Sequence, residues 1–551
     1  MTGRPKKMKL TKFILFSQAA LLLSMGAQAQ QLPQADIQKP KADSWPTFNG
    51  DYSGRRYSPL KQINAENVKG LTLAWIARVN MQSPATFTEG PGSAPPATAT
   101  AGNRGTPLLV NGVLYMTEPN ALFAIDARTG REVWHYVWKG LPAESLGNRG
   151  AGIYGDWIYF ETPDCHLISL DLKTGKPRWN KVIADVKQDH WCSDSPLIIR
   201  NHVIAGVGGD FLDMANYVEA RDPETGDLQW HFWTTAHEGE PGFETWPNKK
   251  AAEHGGGGVW TPPTYDPELN LLYVGTGNVE PTFVGQSRPG DNLYTCSVVA
   301  LNADTGKLAW YFQMSPHDTH DWDASQIPVL ADGTINGQPR KLLLQAYRGG
   351  LFFVLDRATG KNISTTPFVE SLNWYTGIKA NGQPIPDTSK EPSMAGTLTS
   401  PPSGGATGYP SPAFNPDTGL FYVGTSQSYT IFYKLDNDPQ PEGYGAAEHG
   451  AGSVASELRA IDYKTGKIVW KHPTGNGAQN LMTTAGGLLF GGDGYSNFIG
   501  YDARTGKPLW HSTLLTNPGN GPITYMLDGR QYVLVAAGEN FYAFSLQGPV
   551  K

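Results

Sequence analysis

One pattern of polar and apolar positions recurs along this chain: a small or apolar residue, then x-D-x-x-T-G-K-x-x-W. The copies are AIDARTGREVW (124–134), SLDLKTGKPRW (169–179), ARDPETGDLQW (220–230), ALNADTGKLAW (300–310), VLDRATGKNIS (354–364), AIDYKTGKIVW (460–470) and GYDARTGKPLW (500–510). Asn302 stands for Asp in the fourth copy and Ser364 for Trp in the fifth. Each copy predicts strand, turn, strand. The Asp caps the turn, Thr-Gly supplies a left-handed position, and the chain extends again into Trp. Another β-rich run precedes most copies, such as LLVNGVLYM (108–116) or WIYFETP (157–163). Each unit therefore holds roughly four strands, the content of one propeller blade.

The spacing predicts an all-β, eight-bladed β-propeller with tryptophan-docking motifs. Radial stacking buries both faces of each blade, and the repeated Trp fills the gap to its neighbour. The motif Asp or Asn falls at 126, 171, 222, 302, 356, 462 and 502. The gap from 356 to 462 is two blades long, and AFNPDTGLFYV (413–423) reads as a degenerate eighth blade within it. LTLAWIARV (71–79) and FYAFSL (541–546) bracket the array and can pair, removing exposed edges. A parallel β-helix is the rival, but its repeats are shorter. Gly- and Pro-rich excursions at 236–258, 282–292, 365–412 and 436–453 should gather over one face, where propellers place ligands.

Composition refines this picture only a little. The chain has 551 residues, 39% hydrophobic and 17% charged, with 64 Gly, 16 Trp, 24 Tyr and 21 Phe, as short strands and tight turns require. A net charge of −6 gives no reason to expect nucleic acid or an anionic membrane as partner. Residues 1–29 read as a cleaved export signal leading to the periplasm. Arg4, Lys6, Lys7, Lys9 and Lys12 precede an apolar run from Phe13 to Met25, and Ala27-Gln28-Ala29 offers the cleavage site. Residues 30–551 then form a single domain with no membrane insertion. The three cysteines, Cys165, Cys192 and Cys296, leave one disulfide or three buried thiols equally open, and C-x-x-C-H is absent, which predicts an enzyme without haem. Nothing in the sequence speaks to oligomeric state.

Four segments carry chemistry: WPTFNGDYSGRRYSPLKQINAENVKGLTLAW (45–75), GTGN (275–278), RPGDNLYT (288–295) and PHDTHDWD (316–323). By residue type alone, PHDTHDWD is a solvated acidic loop or a zinc site, and Trp260 in GGGGVWTPP is another core Trp outside the repeat. Together, over essentially the whole chain beyond the signal, the segments resemble the PQQ-dependent methanol/ethanol dehydrogenase family. That resemblance implies oxidation of a small alcohol to an aldehyde or ketone, with pyrroloquinoline quinone (PQQ) as hydride acceptor and a bound metal ion.

The resemblance also implies roles. Asp321 matches the catalytic base, a task that suits a carboxylate kept ionised by a nearby cation. Asn278 matches a metal-ligating amide. Asp323 stands where lanthanide-using members carry Asp and calcium members a small neutral residue, so a lanthanide is favoured and Ca²⁺ is the runner-up. Trp260 matches the floor beneath the quinone. Arg149 and Arg348 match cations for its carboxylates and reactive oxygens, and Ser193, Ser426 and Asn497 fall near cofactor-bonding positions. At the family's metal-ligating Glu the alignment places Phe211, which cannot ligate, so Asp210 is the favoured substitute and Asp213 the alternative. The family's adjacent cysteines are also missing, because the matching stretch reads Pro142-Ala143-Glu144-Ser145. Electrons should leave to an external acceptor, a cytochrome c or a quinone-linked carrier. Related repeats also build non-enzymatic scaffolds and enzymes of sugars or polyols, which are the rival readings.

Overall fold

The computed structural model describes residues 33–79, 105–140, 147–188, 190–209, 214–434, 445–475 and 480–547. The signal segment lies outside these residues. So do Asp210, Phe211 and Asp213, and the stretch Pro142–Ser145.

The described residues are overwhelmingly strand. They build eight sheets of four or five strands, with one small separate hairpin (Tyr375–Ile378 with Pro384–Pro386). In the first sheet the strands Leu108–Val110, Val113–Glu118, Ala121–Asp126 and Glu132–Val137 pair antiparallel in chain order, and the next sheets repeat this arrangement. The inner strands are buried throughout, while the fourth strand of each motif carries the exposed residues.

The repeat explains this regularity. Asp126 Oδ1 accepts from the backbone N–H groups of Arg128 (2.9 Å) and Thr129 (3.0 Å), and from the Thr129 hydroxyl (3.0 Å). Gly130 follows at φ +71°, the left-handed turn that the motif needs. The Trp of each sheet then donates its indole N–H to the sheet that follows, at the carbonyl just after that sheet's motif Asp or Asn. Trp134 reaches Leu172 (3.2 Å), Trp179 reaches Pro223 (3.2 Å), Trp230 reaches Ala303 (2.9 Å), Trp310 reaches Arg357 (3.2 Å) and Trp470 reaches Ala503 (3.2 Å). The motif Gly lies flat against that indole. A Cβ built on Gly175 would fall 2.5 Å from Trp134, and one on Gly306 the same distance from Trp230, so no larger residue fits. Where Ser364 replaces Trp, the glycine of the next motif, Gly466, packs on Thr366 instead.

Two expectations change. The segment 413–423 is not a blade of its own. Ala413–Asn415 and the first part of Leu420–Lys434 are the opening hairpin of the sheet that Ala446–Asp462 and Ile468–Pro473 complete. Its N-P-D-T-G turn joins the first two strands rather than the last two, with Asn415 Oδ1 accepting from the Asp417 N–H (2.8 Å). The eighth sheet comes from the chain ends: Leu71–Arg78 pairs antiparallel with Asn540–Leu546, beside Arg530–Ala537 and Ile523–Leu527. Trp75 behaves there as a motif Trp, donating to the carbonyl of Ala127 (3.0 Å) in the first sheet.

The 365–412 excursion meets the acidic loop and the 436–453 excursion, and the 282–292 excursion meets the strand Leu420–Lys434. Trp322 donates its indole N–H to Pro402 O (2.9 Å), Ser403 and Glu448 are hydrogen-bonded, and Phe283 packs 5.4 Å from Phe432. No helix among the described residues is long and apolar enough to cross a membrane.

Candidate active site

The acidic loop is shaped by a residue the sequence did not single out. Asp318 is buried. Its Oδ2 accepts from the backbone N–H groups of His320 (3.2 Å) and Trp322 (3.1 Å), and its Oδ1 from the Ser315 hydroxyl (3.1 Å). The tight turn puts Asp321 at φ +65°, a conformation costly for any residue but glycine and held only when surroundings enforce it. Here they do. Arg348 Nη1 donates to the Asp321 carbonyl (2.5 Å), and the adjoining Trp322 is fully buried and stacked 4.4 Å from His320.

Arg348 is the hub. Its Nη1 also reaches Asp321 Oδ1 (3.2 Å) and its Nη2 reaches Asp323 Oδ2 (3.0 Å), so one guanidinium spans both carboxylates. Asp323 Oδ1 accepts from the Asn278 backbone N–H (2.6 Å), which brings the GTGN segment into the same cluster. Burial pushes the Asp323 carboxyl up from the ordinary range, while Arg348 and that N–H pull it back. The Asn278 amide N–H donates to Thr282 Oγ1 (3.1 Å). Arg288, fully buried, then ties the two loops together through the carbonyls of Thr282 (3.0 Å) and Asp318 (2.5 Å). It belongs to RPGDNLYT, a segment whose resemblance was visible but whose role was not.

Trp260 lies between two cations. The Arg149 guanidinium is 4.6 Å from its ring centroid and that of Arg348 is 5.8 Å away. Arg149 Nη1 donates to Ser193 Oγ (2.7 Å) and Ser193 O (3.1 Å). Tyr409, from the 365–412 excursion, stands 5.1 Å from Arg149 and 6.1 Å from Trp260; no repeat or motif marked it. The structure thus gathers Asn278, Asp321, Asp323, Arg348, Trp260, Arg149 and Ser193. Ser426 is joined to them through backbone alone, its N–H donating to Ala406 O (2.8 Å) while the Ala406 N–H donates to Arg348 O (2.7 Å). Asn497 stands apart. Both ends of its amide are engaged within its own sheet, with Asp493 Oδ2 (2.9 Å) and the Thr513 hydroxyl (2.8 Å).

These donors fit the implied groups. A flat indole face flanked by two guanidiniums and a serine hydroxyl suits a planar polyanionic quinone. Two carboxylates and an amide, all oxygen donors, suit a hard cation. Among the described residues no three His, Cys, Asp or Glu side chains converge on a metal position, so Asn278 is needed to complete the set. The replacement for the family Glu, at Asp210 or Asp213, falls outside those residues. Cys165 and Cys192 form a disulfide with Cα atoms 5.0 Å apart, and Cys296 is a buried thiol that burial pushes well above its ordinary range.

A sheet array with a carboxylate, amide and guanidinium cluster beside an indole face is the arrangement that the resemblance to quinoprotein dehydrogenases implied. The chain matches the PQQ family described as "Glucose/ethanol/alcohol dehydrogenase, beta-propeller domain" over residues 45–393 and 453–533, and it belongs to that family of PQQ-dependent alcohol dehydrogenases. It is 34% identical over 578 residues to the quinohemoprotein alcohol dehydrogenase of Comamonas testosteroni, covering 94% of this chain and 78% of that one. It is 33% identical over 584 residues to the quinoprotein alcohol dehydrogenase PedH of Pseudomonas putida, covering 98% and 93%. Among solved structures it resembles the quinohemoprotein alcohol dehydrogenase ADHIIG of Pseudomonas putida (TM-score 0.85, 30% identity, 95% of this chain and 83% of that one). It also resembles a europium-containing methanol dehydrogenase (TM-score 0.81, 28% identity, 93% and 100%).

The family match displaces the scaffold reading: this chain is an enzyme. The expectation of an enzyme without haem is overturned, because several of these relatives are quinohaemoproteins. The missing C-x-x-C-H speaks only for covalent attachment within these 551 residues and does not decide the matter for the family.

Proposed function

We propose that this chain oxidises an alcohol to an aldehyde or ketone inside a closed, eight-bladed propeller formed by residues 30–551, exported to the periplasm by residues 1–29. The pairing of Leu71–Arg78 with Asn540–Leu546 and the Trp75 contact to the first sheet support ring closure. The observation that carries the functional reading is the Arg348 guanidinium, spanning Asp321 and Asp323 within reach of the Trp260 face.

When bound, PQQ would supply the hydride acceptor and the metal ion a Lewis acid. Asn278, Asp321 and Asp323 would hold the ion, with Asp210 or Asp213. Arg149, Ser193 and Trp260 would seat the quinone, with Ser426 behind Arg348 and Asn497 as a more distant contact. The chain's own work is proton handling. Arg348 holds Asp321 through its carbonyl and carboxylate, so that the carboxylate would take the alcohol's hydroxyl proton as the hydride departs. The same guanidinium stabilises negative charge developing on an oxygen placed against it. The added carboxylate of Asp323 favours a lanthanide over Ca²⁺, in keeping with the structural likeness to a europium-containing enzyme. Electrons then pass to an external acceptor. A 30% identical relative is named 1-butanol dehydrogenase (cytochrome c), which supports a cytochrome c in that role.

The test is dye-linked alcohol oxidation by the purified chain with PQQ and either La³⁺ or Ca²⁺, across primary, secondary and cyclic alcohols. Turnover should need both PQQ and a metal ion and be higher with La³⁺. Turnover without PQQ would sink the reading.

A further inference from the structure

Behind the quinone seat the chain buries two carboxyl groups against each other. Glu161 ends the strand Trp157–Glu161, and Asp194 lies in the connection that leads to Leu197–Ile199; both are fully buried. The Asp194 backbone N–H donates to Glu161 Oε2 (3.1 Å), and the Ser195 N–H donates to Asp194 Oδ1 (2.7 Å). The other oxygen of each, Glu161 Oε1 and Asp194 Oδ2, is buried without a hydrogen-bond partner among the described residues.

The pair adjoins the site. Ser193, just before Asp194, holds Arg149, and Asn148, just before Arg149, donates its amide N–H to Glu161 O (2.7 Å). A Cβ built on Gly206 would fall 2.5 Å from the carbonyl of Val259, the residue preceding Trp260, and 3.0 Å from Asp194 Oδ2. The Cys165–Cys192 disulfide joins the two segments close to the pair, so they are not free to swing apart and relieve repulsion. The charged groups facing the pair are Arg149 toward Asp194 and Glu219 toward Glu161, the latter already paired with Arg221 (2.5 Å). Two ionised carboxylates in such a place are costly, and one shared proton relieves both.

We propose that Glu161 and Asp194 share a proton at neutral pH and gate the cofactor seat: a planar polycarboxylate binds on Arg149 and Ser193 while the pair keeps its proton, and is repelled once the pair ionises. Burial pushes the Asp194 carboxyl up to about 7 and that of Glu161 well above the usual range, which puts the transition within working pH. By linkage, a bound anion makes the pair hold its proton more tightly. The inference deepens the dehydrogenase reading and rests on PQQ being the anion.

The test titrates PQQ into the purified full chain across neutral pH, following tryptophan quenching, beside the Glu161→Gln and Asp194→Asn variants. Affinity of the unmodified chain should fall roughly tenfold as the pair ionises, the scale of one added charge at close range, and Glu161→Gln should remove most of that fall. Infrared spectra of the protein alone should show a protonated-carboxyl C=O band near neutral pH that either variant diminishes, the remainder coming from other buried carboxyls such as Glu118, which burial pushes up to about 8. PQQ binding with the same pH dependence in all three proteins would overturn the gate and leave the dehydrogenase intact. Absence of the infrared band in the unmodified chain overturns it whatever PQQ does. No PQQ binding at any pH overturns both readings.

Discussion

Two pairs of carboxyl groups adjoin the cations around Trp260, and their surroundings differ. Asp321 and Asp323 share the Arg348 guanidinium, and Asp323 also accepts the Asn278 N–H. Among the described residues no guanidinium bridges Glu161 and Asp194; Arg149, which faces Asp194, is hydrogen-bonded to Ser193. Burial penalises charge in both places, but Arg348 contacts both carboxylates of the first pair, whereas Arg149 faces Asp194 alone and spends its hydrogen bonds on Ser193. The same residue type is thereby readied for opposite tasks. One side offers a carboxylate to take a proton or ligate a cation, and the other holds a proton already.

Removing the base should break the contrast most sharply. Asp321→Asn keeps the shape of the side chain but removes the proton acceptor, so turnover should fall by about 10²–10⁴-fold while PQQ is still bound, as measured by dye reduction beside fluorescence quenching. Activity near that of the unmodified enzyme would refute the assignment. Asp323→Ala should do less, about tenfold to a hundredfold, and should cost the La³⁺-loaded enzyme more than the Ca²⁺-loaded one. Equal losses with both ions would defeat the metal argument.

On the other side the readout is stability. A folded chain that retains a proton up to about pH 7 on Asp194 binds more protons than the unfolded chain, whose carboxyls titrate near their ordinary values. Stability must therefore fall as pH rises from about 4, at up to about 1.4 kcal/mol per pH unit for each proton retained; the Asp194 share is lost by about pH 7, while Glu161, held well above the usual range, extends the fall. Asp194→Asn should flatten that slope in melting curves taken across the range. An unchanged slope would mean that the pair is ionised in the folded chain.

Much of this was legible in the sequence. The Asp-x-x-Thr-Gly turn and its Trp are local devices, so seven copies marked seven sheets. The pairing of 71–79 with 541–546 was expected and is seen, but the eighth blade was counted at 413–423 instead, because the terminal strands carry Trp75 without the turn. Asp321, Asp323, Asn278 and Arg348 stand in motifs, and the structure brings them into contact. Asp318 and Arg288 act by holding loops, a task visible only when the loops are seen together. Glu161 lies in the β-rich run WIYFETP and Asp194 in a connection 33 positions on, and nothing local says that the fold brings them together. Asn497 shows the reverse: a plausible residue type whose hydrogen bonds are spent at home.

Ser193→Ala should have the smallest effect and bears on how the two sides are linked. The substitution removes the hydroxyl that accepts from Arg149 and leaves the Ser193 carbonyl in place. Losing one of two acceptors should weaken PQQ binding only a few-fold, about 1 kcal/mol. Its second consequence is directional. A guanidinium with one acceptor fewer is less firmly held toward Ser193 and more available to Asp194, whose charged form it favours. The pH at which PQQ affinity falls should therefore move down relative to the unmodified chain. A midpoint that moves up, or stays fixed while affinity drops, would show that Arg149 serves the quinone alone and that the acid pair is set by burial without it.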